Sequence, residues 1–293
     1  MACSASPMTL SIDSVAWLLG LEGIALLRAI AGDVDDEAFI DQRLAEAARI
    51  LAARGAPDPA VQPSAQPVDT RTGYDLWAPT YDSEHNPLLA AEQAVVWPWL
   101  NQLPPGLAVD AACGTGRYAS LLAAHGHTVV GIDSSPGMLA IAQRKVPTAR
   151  LLLGDLTALP VADHAADLVI CALALTHQPT LGPALKEFAR VLRPGGQLIV
   201  SDIHVASLYL GGIVHVRSPQ GQLLELPAAR FLASDYLKAA VSAGFDVLDC
   251  AEPRWGLVQG EGGGLAGSWC PAAAAAAYRD TPAAIAWRLE RRG

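Results

Sequence analysis

Two glycines and the carboxylates around them are the residues of this chain best suited to hold a small polar ligand. Gly114 and Gly116 lie in the stretch 108–119, AVDAACGTGRYA, where an apolar run crosses a turn into a helix-like run. Glycines have no Cβ atom to hold a ligand away from the backbone, and the N-terminus of the following helix attracts a negative group. Asp133 ends the next apolar run, and its ionised carboxylate has two accepting oxygens. The pattern predicts a small polar ligand across this turn.

The glycine loop alone allows two interpretations. Gly114 and Gly116, followed by Ala119 and later by Asp133, also satisfy the fingerprint of dinucleotide-binding proteins, in which an acidic residue holds a ribose. That fingerprint predicts a nicotinamide-dependent oxidoreductase. The other interpretation depends on motifs further along the chain.

Three more motifs follow apolar runs at corresponding places. GIDSS at 131–135, LGDL at 153–156 and LRPGG at 192–196 accompany DAACGTG at 110–116. Together they resemble the class I S-adenosylmethionine-dependent methyltransferases that act on small molecules, and the resemblance covers residues 70–293. It implies an S-adenosyl-L-methionine cofactor, whereas the oxidoreductase remains the alternative.

The resemblance also implies a cofactor site. It assigns the ribose hydroxyls to Asp133 and the adenine amino group to Asp155, while Asp110 orders the loop or meets the amino group of the methionine moiety. The segment 73–82, GYDLWAPTYD, resembles one that folds over the cofactor in many family members, so its tyrosines either contact the ligand or pack the segment onto the domain. The predicted cofactor residues are Tyr74, Tyr81, Asp110, Ala112, Gly114, Gly116, Asp133, Ser134, Met138, Asp155, Leu156 and Cys171.

Three histidines are the candidates on the substrate side. Family members bind substrate at the carboxyl ends of the fourth and fifth strands, where this chain has His177 and His204, and His215 lies in a presumed cover. Histidine titrates near neutrality and can take the proton of a hydroxyl or ammonium acceptor. His177 is the first candidate, as a base or as a substrate contact, ahead of His204 and His215. Because their spacing is not that of a metal site, we expect no metal.

A sheet is needed to bring these residues together, and the sequence predicts one. From residue 109 onward, strand-like runs alternate with helical runs, which is typical of a doubly wound α/β sheet. The resemblance implies a Rossmann-like, mostly parallel seven-stranded sheet whose last strand is antiparallel and lies between the fifth and sixth. A β-hairpin cover is expected in an insertion at about residues 205–231. The predicted strands after the first are 128–132, 150–153, 168–172, 197–201, 245–250 and 284–289, and Ser234 is expected to cap the helix before the strand 245–250.

The N-terminal segment is predicted to be a separate helical extension. Residues 1–55 should form a helical hairpin whose first helix is apolar nearly all round, so either the core domain or a second subunit must cover it. Residues 56–70, rich in proline, are predicted to be a linker to the methyltransferase domain at 71–293. Within that domain, the glycine- and alanine-rich stretch 256–277 is predicted to be a long excursion between the last two strands.

Composition limits the partners. A net charge of −9 with 20 Lys and Arg argues against an extended nucleic-acid groove, which needs clustered cations. The five cysteines are widely scattered, and no two of them form a C-x-x-C motif. This favours a reducing cytoplasm over a disulfide framework. No signal peptide is evident, and charged residues interrupt the apolar run 15–31. The expected partner is a small-molecule substrate, with neither nucleic acid nor membrane, and a homodimer through the N-terminal helices is the alternative to their packing within the chain.

The sequence thus predicts an enzyme. It would transfer a methyl group from S-adenosylmethionine to an O, N or C nucleophile of a small metabolite, in bacterial secondary metabolism and biosynthesis. Besides the oxidoreductase, the other alternative is a domain that binds the cofactor without transferring its methyl group and serves as a partner subunit.

Overall fold

The computed structural model describes residues 14–32, 37–52, 65–82, 86–212, 214–218, 220–255 and 270–293. Most of the predicted linker, residues 56–64, and residues 256–269 of the predicted excursion lie outside these ranges. In chain order the elements are α1 (Ser14–Ile30), α2 (Glu37–Ala52), β1 (Gln66–Pro67), α3 (Thr70–Trp77), α4 (Pro87–Leu100), β2 (Leu107–Ala111), α5 (Arg117–Ala124), β3 (Thr128–Asp133), α6 (Pro136–Lys145), β4 (Arg150–Leu153), β5 (Ala166–Ala172), the 3-10 turn Leu175–His177, α7 (Gly182–Val191), β6 (Leu192–Ile203), α8 (Val205–Tyr209), β7 (His215–Arg217), β8 (Leu223–Glu225), α9 (Ala233–Ser242), β9 (Phe245–Ala251), α10 (Pro271–Tyr278) and β10 (Ala284–Arg291).

The central sheet has seven strands within these residues, in the order β4-β3-β2-β5-β6-β10-β9. The first five strands in this order are parallel, and β10 runs antiparallel between β6 and β9. The predicted fold class is therefore confirmed. Its inner strands are apolar and buried because helices cover both faces of a parallel sheet. Because β2, β3, β5 and β6 are parallel, their carboxyl ends lie at the same edge of the sheet.

Two of the element boundaries that differ from the prediction have a clear physical reason. Strand β6 begins at Leu192 rather than at residue 197, because Leu192 already pairs with Ala166 of β5. Ser234, expected to cap the helix before β9, lies inside α9 instead, and Leu232 is the capping position. The helix can begin earlier because the Asp235 carboxylate accepts the Leu232 N–H at 2.9 Å.

The predicted β-hairpin is present, and it belongs to a sheet that is larger than expected. Strands β7 and β8 pair antiparallel, as predicted, and β1 adds a third strand parallel to β8. Strand β1 belongs to the segment predicted as linker, and the Val68 N–H continues the pairing by donating to the Glu225 carbonyl. This small sheet leads directly into α3. A Cβ atom at Gly73 of α3 would lie 2.8 Å from the side chain of Leu226, which directly follows β8. Helix α3 and this end of the hairpin are therefore in close contact.

The N-terminal hairpin packs within the chain. Helix α1 lies against α2 and against the alanine-rich helix α10, and their buried side chains form a separate apolar cluster that includes Leu21, Ala25, Ala273, Ala274 and Ala277. A buried ion pair between Arg43 and Glu22, 3.1 Å apart, joins the two hairpin helices. Within the described part of the chain, no helix has the length and apolarity needed to cross a membrane.

Candidate active site

A cavity opens at the carboxyl edge of the sheet, between the strand ends and helix α3. Its empty volume, counted to the open mouth, is about 670 Å³. Ten of the predicted site residues line it: Tyr74, Tyr81, Ala112, Gly114, Asp133, Ser134, Met138, Asp155, Leu156 and His177. The remaining five do not: Asp110, Gly116, Cys171, His204 and His215.

The glycine loop forms the floor of this cavity. Gly114 and Gly116 have φ angles of 53° and 84°, in the left-handed region that glycine adopts at little cost. A Cβ atom at Gly114 would meet nothing within 4 Å, so a ligand can approach the backbone there. A Cβ atom at Gly116 would instead lie 3.3 Å from Ala142 on α6. Gly116 therefore serves the packing of loop against helix, and only Gly114 faces the cavity.

Ala112 has the least usual backbone of the loop. Its φ angle is 61°, although it carries a Cβ atom and lines the cavity. An L-residue in this region costs about 1–2 kcal/mol. The loop is held in place by hydrogen bonds on both sides, since the Cys113 N–H donates to the Ile132 carbonyl and the Gly114 N–H to Asp133.

Asp133, at the end of β3, holds the loop and faces the cavity at once. Its Oδ2 accepts the Gly114 N–H at 2.8 Å, and its Oδ1 accepts the Ser135 N–H at 2.9 Å. Each oxygen keeps a further lone pair. Burial raises the pKa of Asp133, while the backbone donors oppose the rise. Asp155 is arranged similarly: its Oδ1 accepts the backbone N–H and the hydroxyl of Thr157, which leaves Oδ2 available.

Helix α3 and the turn after it close the cavity from above, and the two aspartates of the segment 73–82 attach them to the domain. Asp75 Oδ1 accepts the Ser135 hydroxyl at 2.5 Å and the Gly137 N–H at 2.9 Å, at the start of α6. Asp82 accepts the Thr115 hydroxyl of the glycine loop at 2.8 Å. The aspartates thus fix the segment, while Tyr74 and Tyr81, each next to one of them in sequence, line the cavity.

A tyrosine and a histidine form a hydrogen-bonded pair in the cavity wall. The Tyr74 hydroxyl lies 2.9 Å from His177 Nε2, and His177 Nδ1 lies 2.6 Å from the Pro227 carbonyl. Because a carbonyl only accepts, Nδ1 carries the proton, and the unprotonated Nε2 accepts from Tyr74. Burial lowers the pKa of His177 below its usual range, so the imidazole is neutral at pH 7. Burial also raises the pKa of Tyr74 well above its ordinary value.

The other two histidine candidates lie outside this cavity. His204 caps helix α8, its Nδ1 accepting the Ala206 N–H at 3.1 Å, while its Nε2 lies 3.3 Å from Glu252 Oε1. Both ring nitrogens are thereby used in the structure. His215 is in β7, in register with Glu225 of β8. Of the three, only His177 lines the cavity.

Two predicted cofactor residues are buried beneath the floor. Cys171 lies within β5, where burial raises the pKa of its thiol well above the ordinary value. The carboxyl group of Asp110 is buried, and its Oδ2 has no hydrogen-bond partner among the described residues. Burial raises the pKa of Asp110 to about 7. Neither side chain lines the cavity, so Asp110 can act on a ligand only through the loop or after a local movement.

A buried network supports the loop from below. Glu92 of α4 is fully buried and accepts hydrogen bonds from the Arg117 guanidinium at 2.7 Å and from the Tyr118 hydroxyl at 2.7 Å. The Ser201 hydroxyl of β6 donates to the same carboxylate at 2.6 Å. Removing one partner of such a buried pair costs about 3–5 kcal/mol, because the other charge is left unpaired. The network therefore fixes the first turn of α5 behind Gly116.

The prediction omitted several wall residues. Thr70 and Gln178 line the cavity, and the Pro227 carbonyl orients His177. Gln178 directly follows the predicted His177, and Thr70 precedes the tyrosine segment, so proximity in sequence was a usable signal for both. Pro227 lies too far along the chain for any local pattern to reveal it. The described residues contain no group of three His, Cys, Asp or Glu side chains that could hold a metal ion.

Comparison with known proteins finds similarity to methyltransferases. Residues 109–200 match the family model of a methyltransferase domain. A demethylmenaquinone methyltransferase of Renibacterium salmoninarum is 34% identical over 142 residues, which cover 47% of this chain and 60% of the relative. A malonyl-[acyl-carrier protein] O-methyltransferase of Serratia marcescens is 36% identical over 100 residues, covering 34% of this chain and 39% of the relative. Both alignments span less than two thirds of the relative.

A solved structure shares the fold. The S-adenosylmethionine dependent methyltransferase from Mesorhizobium loti superposes with a TM-score of 0.51 at 21% identity, covering 69% of this chain and all of that one. The family model matches the part of the chain that carries the glycine loop, Asp133 and Asp155. Residues 109–200 therefore carry a methyltransferase domain, and the chain has the fold of the S-adenosylmethionine-dependent methyltransferases.

Proposed function

We propose that this protein transfers the methyl group of S-adenosylmethionine to an O, N or C nucleophile of a small metabolite, in bacterial secondary metabolism. One observation carries the proposal: the Tyr74–His177 pair and the glycine loop with Asp133 line the same cavity. One part of the lining is suited to a nucleoside, and another part holds a group that can accept a proton. Methyl transfer to a protonated acceptor needs both.

The part of the lining formed by Gly114, Asp133, Ser134, Met138, Asp155 and Leu156, here called the donor wall, suits the cofactor. The free lone pairs of Asp133 can accept the ribose hydroxyls, and Oδ2 of Asp155 can accept the adenine amino group. Open space at Gly114 admits the methionine part close to the backbone. Ser134, Met138 and Leu156 complete this wall in the proposal. When bound, the cofactor supplies an electrophilic methyl group on a sulfonium.

The part of the lining formed by Tyr74, Tyr81, His177 and Gln178, here called the acceptor wall, can accept the proton of the substrate. The Tyr74 hydroxyl can pass its proton to His177 Nε2 and take the acceptor's proton in its place, because the two atoms are already 2.9 Å apart. The Pro227 carbonyl holds the Nδ1–H tautomer, which keeps Nε2 ready to receive. Alignment of acceptor and donor between the two walls supplies much of the remaining acceleration, up to about 7–11 kcal/mol in favourable cases. His177 is the catalytic residue in this scheme, and Tyr74 is its relay.

Calorimetric titration of the full chain with S-adenosylhomocysteine and with NAD tests the proposal. Binding of S-adenosylhomocysteine that Asp133→Ala weakens, together with no competition by NAD, supports it. NAD binding without affinity for S-adenosylhomocysteine would favour the oxidoreductase. Cofactor binding that persists while a screen of metabolite extracts detects no methylated product would favour a partner subunit without catalysis.

A further inference from the structure

We propose that the acceptor enters the cavity as an uncharged phenolic or enolic hydroxyl on an apolar ring, and that the cavity rejects carboxylate acceptors. The inference rests on the proposed methyl transfer and concerns the substrate class of that same site. It is carried by the charges around the cavity, by the aromatic wall and by the Tyr74–His177 pair.

Cations are absent from the described cavity wall. The described part of the chain holds every Lys and Arg except Arg54, and none of them lines the cavity. The cations nearest the glycine loop are already paired. Arg117 lies 2.7 Å from the buried Glu92, and Lys145 lies 2.7 Å from Asp82. An anionic acceptor would find no free positive charge on these walls.

Two carboxylates, in contrast, line the ligand space, those of Asp133 and Asp155. Burying an additional unpaired anion among them is costly, since a charge taken out of water needs a partner. The same surroundings favour the positive sulfonium of the cofactor. The sulfonium in turn repels a cationic acceptor, just as the carboxylates repel an anionic one. An uncharged acceptor is repelled by neither.

The acceptor wall is aromatic as well as uncharged. Tyr74 and Tyr81 line the cavity. Trp77, which does not line it, stacks on Tyr74 with ring centroids 5.9 Å apart and meets Tyr81 edge-on at 5.0 Å. Rings of this kind favour an apolar or aromatic ligand. Its hydroxyl can meet the Tyr74 oxygen, with the amide of Gln178 as a second polar group in the same wall.

The proton and the charge balance in this scheme. The O–H bond of the acceptor breaks, its proton joins the Tyr74 oxygen, and the Tyr74 proton moves to His177 Nε2. The acceptor oxygen forms a bond to the methyl carbon as the bond from that carbon to sulfur breaks. The positive charge that leaves the sulfur ends on the imidazolium of His177, and the net charge of the cavity is unchanged.

Three probes with one ring system test the substrate class: 2-naphthol, 2-naphthoate and 2-naphthylmethylammonium. The full chain is saturated with sinefungin, a stable cationic analogue of the cofactor, and each probe is titrated at neutral pH by calorimetry. We expect 2-naphthol to bind at least about tenfold more tightly than either charged probe, a difference of about 1.4 kcal/mol. Equal or tighter binding of a charged probe, or no binding of 2-naphthol, overturns the inference.

A variant of the wall sharpens the test. Gln178→Arg adds a cation to the acceptor wall and should raise the affinity for 2-naphthoate about tenfold, whereas the uncharged Gln178→Met should not. Sinefungin affinity should be similar in both variants. A protein that binds neither sinefungin nor S-adenosylhomocysteine refutes the proposed function itself, whereas cofactor binding with a preference for the carboxylate refutes only the substrate class.

Discussion

Removal of one oxygen atom, in Tyr74→Phe, tests the proposed proton relay most directly. The ring stays in the aromatic cluster, so packing is preserved, but His177 Nε2 loses the hydroxyl 2.9 Å away. His177 keeps its tautomer because the Pro227 carbonyl still accepts from Nδ1 at 2.6 Å. The chain offers a matched control in Tyr81→Phe. Tyr81 lines the same cavity, 6.3 Å from Tyr74 between ring centroids, and its hydroxyl is not bonded to His177.

The expected effects differ in size for stability and for rate. Loss of one hydrogen bond between neutral groups lowers the free energy of unfolding by about 0.5–1.5 kcal/mol. Loss of a positioned proton acceptor lowers turnover by about 10²–10⁴-fold. Because neither the glycine loop nor Asp133 contacts the Tyr74 hydroxyl, the affinity for S-adenosylhomocysteine should change little. A large loss of rate with nearly normal stability and cofactor affinity is therefore the signature of the relay.

Three measurements check this signature: methyl transfer to 2-naphthol, calorimetric titration with S-adenosylhomocysteine, and thermal unfolding. Nitrogen NMR of labelled histidine adds a readout without turnover, since the Nε2 resonance of His177 should shift once Tyr74 no longer donates to it. Equal rates for Tyr74→Phe and Tyr81→Phe, or an unchanged Nε2 resonance in Tyr74→Phe, would refute the reasoning.

Three further outcomes are expected. Asp202→Asn should reduce the pH dependence of stability. Burial raises the pKa of Asp202 to about 7, so this carboxyl should lower the free energy of unfolding by about 1.4 kcal/mol for each unit that the pH rises between about 4 and 7, and urea titrations at several pH values should show a slope smaller by that amount in the variant. Gly211→Ala should lower the melting temperature more than Gly221→Ala, because both have φ near +82° but only at Gly211 would the new methyl group overlap the Trp17 indole; equal melting temperatures would contradict this packing. Asp133→Ala should weaken S-adenosylhomocysteine binding by about 1.5–3 kcal/mol for each hydrogen bond lost, measured by calorimetry, and undiminished affinity would remove Asp133 from the site.

The sheet and the donor wall were predictable because their signals are local. The alternation of apolar and helical runs determines a parallel sheet, and in such a sheet the strand that ends at Asp133 must end beside the glycine loop. Gly114 and Asp133 are 19 residues apart in sequence and joined by a hydrogen bond of 2.8 Å. Tyr74 was predicted from a motif, although nothing in that motif indicated its bond to His177.

The roles of His204 and of strand β1 were not predictable, since both depend on partners that no local pattern identifies. His204 has the position expected of a substrate-side residue, but its ring nitrogens are taken by the start of α8 and by Glu252, 48 residues further on. Strand β1 has two residues and lies in a proline-rich stretch, and only its pairing with Leu224 and Glu225 makes it a strand. Long-range pairing of short segments leaves no periodicity to detect.

The two walls of the cavity have complementary electrostatic tasks. Tyr74 cannot act as a base alone, because burial raises its pKa well above the ordinary value and a phenolate there is disfavoured. It can take a proton only if it gives one up at the same time, and His177, neutral because burial lowers its pKa, is the group that receives it. The acceptor wall therefore carries no charge before transfer. Positive charge reaches it only as the sulfonium loses its own, so the carboxylates around the cavity stabilise one cation throughout the reaction.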